Sequence, residues 1–156
     1  MAVWRGDWNV KAPAPAICGW KDGWYIVPHQ VTWQDVDGMR HVNNAVYFQY
    51  FEWARTKYWF ELHDATDIES LTFIVAKAEC DFKAELGLLD DIEIAVRISE
   101  MRNSSLDFVY EVRRVVDGTV AATGKVVVVH FSWIEQTKKQ IDGELRAKID
   151  RFQVGG

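Results

Sequence analysis

Between Asp91 and Arg102 the chain reads DIEIAVRISEMR, and Ile92, Ile94, Val96 and Ile98 are each separated by one residue. A period of two places those four side chains on one face of a strand. SSLDFVYEVRRVV (104–116) predicts the next strand, and Asp117-Gly118 supplies a hairpin turn. TVAATGKVVVVHFSWIE (119–135) is the last and most apolar strand. Upstream, LTFIVAKAECDFKAEL (71–86) is long and β-prone, with ELGLLDD (85–91) as a turn. WYIVPHQVTWQ (24–34) reads as a strand in which Pro28 marks an edge or a bulge.

Asn44 to His63 breaks this rhythm. It holds no Gly or Pro, its aromatics fall on nearly every side, and Gln49, Glu52, Thr56 and Lys57 leave only a narrow polar stripe. That pattern predicts a buried helix, about 30 Å long, with Asn43 or Asn44 as N-cap. DGELRAKIDRF (142–152) predicts a short amphipathic helix at the end. The order is strand, long buried helix, then four long strands in a meander. This is an α+β chain, one antiparallel sheet wrapped around one central helix. Residues 1–23 carry two of the three prolines and no clear period. They read as an N-terminal arm, either extended over the single domain at 24–156 and held to it through Trp residues or partly disordered.

Composition narrows the function. The chain of 156 residues is 49% hydrophobic with eight Trp, enough for a real core. A net charge of −5 without a basic stripe argues against nucleic acid as a partner. No run of about 18 uncharged apolar residues exists to span a membrane. The N-terminus lacks the pattern of a signal peptide. Cys18 and Cys80 lack CxxC spacing and read as reduced thiols of a cytoplasmic protein.

The helix is preceded by DVDGMRHVNN (35–44), in which Asp35, Asp37, Arg40, His41, Asn43 and Asn44 crowd together. A turn before a helix favours Asp, Asn and Gly for local reasons alone. A calcium loop would need Gly and Glu where Arg40 and Val46 stand, so no metal is expected. No GxSxG occurs, and Cys80 sits mid-strand, away from the setting of a reactive thiol. What remains is a carboxylate at a helix N-terminus, where unpaired N–H groups can hold a developing oxyanion and the carboxylate can attack or activate water. The aromatic helix would then wall an apolar pocket.

DVDGMRHVNNAVYFQYFEWAR resembles the signature of the hot-dog-fold acyl thioesterases, a group that includes the 4-hydroxybenzoyl-CoA thioesterases and, more distantly, the plant acyl-carrier-protein thioesterases. Residues 73–112 and AATGKVVVVHF (121–131) are similar to the family's later strands, so the likeness covers roughly 24–150. It implies a hot-dog fold and hydrolysis of an acyl-CoA or acyl-carrier-protein thioester, without a cofactor. It places Asp37 at the catalytic carboxylate and the main-chain N–H near Asn44 where the thioester carbonyl is polarised. It carries His41 and Glu85 over as further catalytic candidates. Arg40, Asn43 and Tyr47 fall to substrate binding, and Asp35 to turn formation. His29, His63 and His130 match no motif and read as structural. Arg40 departs from the Gly that many members carry before HVNN, which bears on substrate and not on fold. The family pairs its long second strand, here about Leu71 to Ala84, between chains, which implies a dimer or tetramer. A protein that binds acyl thioesters without hydrolysis is the alternative. A hydratase of the same fold is disfavoured, because Asp37 and His41 are four apart with no Asn-Pro between.

Overall fold

The alternating run at 91–102 is the centre of a seven-stranded sheet. In the computed structural model, which describes residues 17–155, the chain forms β1 (Gly19–Lys21), β2 (Trp24–Gln30), a 3-10 turn (Trp33–Asp35), α1 (Asn44–His63), a second 3-10 turn (Ile68–Ser70), β3 (Phe73–Phe82), β4 (Asp91–Met101), β5 (Ser105–Arg114), β6 (Val120–Ser132), β7 (Thr137–Lys138) and α2 (Gly143–Val154). Ile92, Ile94, Val96 and Ile98 of β4 are all buried. The strand order is β1-β2-β4-β5-β6-β3, every pair is antiparallel, and β7 pairs with the end of β6. α1 packs on β2, β3, β4 and β6, so the sheet curls around it in the expected hot-dog arrangement.

Two expectations need correction. The four-strand meander is a meander of three. β4, β5 and β6 are consecutive neighbours, but β3 lies on the far edge beside β6. The stretch read as a turn is a crossover along one end of the sheet. Ala121 accepts from the Lys83 and Ala84 N–H groups, Leu86 accepts from Val42, and Val31 exchanges bonds with Leu89 and Asp90. Leu86 is fully buried beneath it. The second correction concerns α1, which is half-buried. Val46, Tyr47, Tyr50, Phe51, Ala54, Arg55, Tyr58, Trp59 and Leu62 face the sheet. Asn44, Ala45, Phe48, Gln49, Glu52 and Trp53 face outward. Aromatics on the outward side hid this division in the sequence. One of them, Trp53, is covered by the Lys57 ammonium, 4.5 Å above its ring.

The last residues assigned to the arm join the sheet. Asp22 and Gly23 take φ of 52° and 76°, the pair of left-handed residues that a tight type I′ hairpin requires, and they fold β1 onto β2. Trp20 then packs edge-on against Tyr25, Tyr58 and Phe152 of α2. The remainder of the arm, 1–16, lies outside the described residues. β1 reaches only as far as Ile26, so Pro28 sits where β2 has no neighbour on that side and needs no N–H to donate.

Candidate active site

The polar cluster folds as a small hairpin that delivers the chain into α1. Val36 and Val42 form an isolated bridge, and the Asp37 N–H donates to the His41 carbonyl at 3.1 Å. Arg40 N–H donates to the Asp37 carbonyl at 2.9 Å, and Arg40 takes φ of 70°. This is a β-turn over Asp37–Arg40 closed by one left-handed residue, the position where Gly is favoured. The loop ends in Asn43, the N-cap, whose Oδ1 accepts from the Ala45 N–H at 2.9 Å.

Asn43 also faces backwards. Its Nδ2 donates to Oδ2 of Asp37 at 3.2 Å, while Oδ1 of Asp37 accepts from the Met39 N–H at 2.8 Å. One amide thus ties the Asp37 carboxylate to the first turn of α1. The N–H of Asn44, at the positive end of the helix dipole, makes no hydrogen bond among the described residues. Asp37, Asn43 and Asn44 are all exposed. Sequence could nominate Asn43 as a cap, but nothing in it showed that the same side chain would hold Asp37.

The two remaining catalytic candidates meet each other. His41 Nε2 lies 2.9 Å from Glu85 Oε2. Glu85 arrives on the crossover, next to the Val42–Leu86 hydrogen bond that staples the crossover to the site loop. Asp35 turns inward as the turn-former it was read to be. Its Oδ2 closes a capping box with Thr32 at 2.7 and 3.0 Å and lies 3.5 Å from His29. Burial pushes that carboxyl up, but the Thr32, Tyr50 and His29 groups around it outweigh burial and hold it below the ordinary aspartate value. Tyr47 is buried against Tyr50 and Phe82, with ring centroids 5.9 and 5.3 Å away. Burial first, and then Cys80, push its hydroxyl up to about 12, so it is a neutral phenol. Cys80 is itself pushed up to about 11 by burial, which keeps it a thiol and not a nucleophile.

The expected apolar pocket does not close over Asp37 among the described residues, where Asp37 is exposed. A cavity of about 700 Å³ lies farther along α1, between Arg55 and the ends of β3 and β6, and includes none of the cluster. Asp37 is exposed, as are Asn44, Ala45, Phe48 and Gln49 on the outward side of α1. Among the described residues no group of three His, Cys, Asp or Glu side chains is arranged to hold a metal, and no helix is long and apolar enough to cross a membrane.

Residues 31–149 match the thioesterase-like superfamily. The chain is similar to the solved structure of a thioesterase from Thermus thermophilus complexed with coenzyme A and Zn, at 30% identity, over 86% of this chain and 96% of that one, with a TM-score of 0.73. A thioesterase-superfamily structure from Jannaschia sp. CCS1 superposes with a TM-score of 0.76 at 22% identity, over 86% of each chain. The uncharacterized protein YsmA of Bacillus subtilis (strain 168) is 27% identical over 119 residues, 71% of this chain and 80% of its own.

Proposed function

The chain belongs to the thioesterase-like superfamily, and from that premise we propose that it hydrolyses acyl-CoA or acyl-carrier-protein thioesters with Asp37 as the working carboxylate. The observation that carries the reading is the double role of Asn43, which caps α1 and fixes Asp37 beside the helix start. A thioester carbonyl laid against the Asn44 N–H would find its developing negative charge met by the helix terminus. Asp37 then has two routes. It attacks the carbonyl carbon, expels the thiolate and leaves a mixed anhydride that water opens. Or it takes a proton from a water molecule that attacks directly. Both end in acid and thiol.

His41 and Glu85 act in this scheme as positioning residues, holding the crossover against the site loop. Both side chains are well exposed, so the pair adds under about 1 kcal/mol of stability and its effect belongs in the rate. Arg40 meets a phosphate of the thiol carrier or narrows the acyl channel, and Tyr47 forms part of its apolar wall. Coenzyme A is favoured as the carrier because the Thermus thermophilus thioesterase, the more similar in sequence of the two solved structures, was complexed with it.

Thiol release from a panel of acyl-CoAs, repeated with acyl-carrier-protein thioesters, tests the reading. Turnover of at least one acyl group is expected. No release from any of them would leave the non-catalytic binder as the account. Single-turnover hydrolysis in heavy-oxygen water probes the two routes. Label in the Asp37 carboxylate, placed there when water opens the anhydride at Cγ, establishes the nucleophilic route. The base route puts label in the product acid alone, as does an anhydride opened at the acyl carbon, and trapping of the anhydride with hydroxylamine separates these two.

A further inference from the structure

Arg55 is a cation on the sheet-facing side of α1, only 5% exposed. Its Nη1 donates to the Tyr110 hydroxyl at 3.0 Å, and its guanidinium lies 5.6 Å from the centre of the Phe73 ring. Burial pushes the Tyr110 hydroxyl up to about 12, against the pull of Arg55, so the partner is a neutral phenol. Nε of Arg55 is buried and has no hydrogen-bond partner among the described residues. None of the ion pairs among them includes Arg55. A buried guanidinium without a carboxylate is costly, and a cation so placed is stabilised by any anion that can reach it.

The place for that anion is the cavity of about 700 Å³ that Arg55 lines, a volume in the range of small-molecule sites. Leu71, Phe73, Val75, Phe131 and Trp133 give it an apolar interior. The Lys139 ammonium, also in the lining, is already paired with Glu135 at 3.0 Å. Glu52 and Glu69 in the lining are exposed to solvent, where their charge is screened. Arg55 stands ~17 Å along α1 from Asn44 by the rise of a helix, and the cavity shares no residue with the Asp37 cluster. We infer that this cavity is a second ligand site, which takes a free carboxylic acid with an apolar body, its carboxylate on Arg55 and its hydrocarbon against Leu71, Phe73 and Trp133. A guanidinium fork matches a carboxylate in shape as well as charge.

Isothermal titration of the whole chain with octanoate and with octan-1-ol tests this. Octanoate should bind at least about tenfold more tightly than the alcohol, the scale of a charge-assisted hydrogen bond. Arg55→Met should erase that preference. Thr56→Trp fills the cavity from a half-buried position and should abolish binding of both ligands while leaving Arg55 in place. A saturating non-hydrolysable thioester analogue should leave octanoate binding unchanged. Equal binding of acid and alcohol by the wild type would overturn the inference. So would octanoate binding that survives Thr56→Trp or is lost when the thioester analogue is bound. The last result would move the acid to the thioester site and leave the proposed hydrolysis standing.

Discussion

Arg40 holds a left-handed backbone with φ of 70° that Gly would adopt without strain. Arg40→Gly is expected to change stability by at most about 1 kcal/mol, towards stabilisation, because relief of backbone strain outweighs the added freedom of the unfolded chain. Urea denaturation checks this. The same variant should alter KM or acyl preference, and unchanged kinetics on every substrate would make Arg40 ordinary surface. At this scale the sequence was informative where chemistry is local. Asn43 as a cap and Asp35 as a turn-former followed from short-range hydrogen bonding. The pairing of His41 with Glu85 joins residues 44 positions apart, and no periodicity carries that. The family resemblance supplied both candidates, and the crossover brought them together.

Elements were readable from period and punctuation, and their neighbours were not. β4, β5 and β6 are joined by short connections and pair as consecutive strands commonly do. β3 breaks that default because residues 83–90 are long enough to cross the end of the sheet, and the side taken by a connection leaves no mark in composition. α1 rests on the sheet through a close approach that sequence also concealed. Phe51 stacks on Tyr110 at 4.4 Å and lies over Gly124 of β6, where a Cβ would collide with its ring. Gly124→Ala is therefore expected to cost about 1–3 kcal/mol, as overpacked cores do. A midpoint shift in urea at constant m-value measures it. Arg55 was not singled out in the sequence, where the polar stripe is Gln49, Glu52, Thr56 and Lys57. Its spacing of four from Phe51 and from Trp59 was the available sign that it lay on the apolar side.

For the whole molecule, the β3 edge and the open surface at Asp37 point to one outcome. β3 is ten residues long, pairs only with β6 among the described residues, and exposes Ile74, Val75 and Phe82 without a proline. Such an edge invites a second chain. Light scattering at micromolar concentration is expected to give a dimer or a multiple of one, and a stable monomer would refute both the pairing and a shared site. Stability should also respond to pH through His63. Burial, then Lys148 and His130, hold its imidazole below the ordinary value of 6.5, and its Nδ1 faces the Lys148 ammonium at 3.3 Å. The unfolded chain takes up that proton first as pH falls. The contribution is therefore present above about pH 6.5 and lost as pH drops through the lower folded value. His63→Phe should flatten that part of the stability profile, which urea titrations at pH 8 and pH 5.5 will show.

The central claim is that one carboxylate at the start of α1 carries the chemistry. Asp37→Asn preserves shape, can still meet the Asn43 amide, and leaves the helix N–H groups untouched. The direct measurement is kcat of the wild type and of Asp37→Asn on the best substrate of the acyl-CoA panel, with a non-hydrolysable analogue to monitor binding. The account predicts a fall of about 100- to 10,000-fold or more in kcat, with analogue affinity retained. Hydrolysis at the wild-type rate by Asp37→Asn would contradict it.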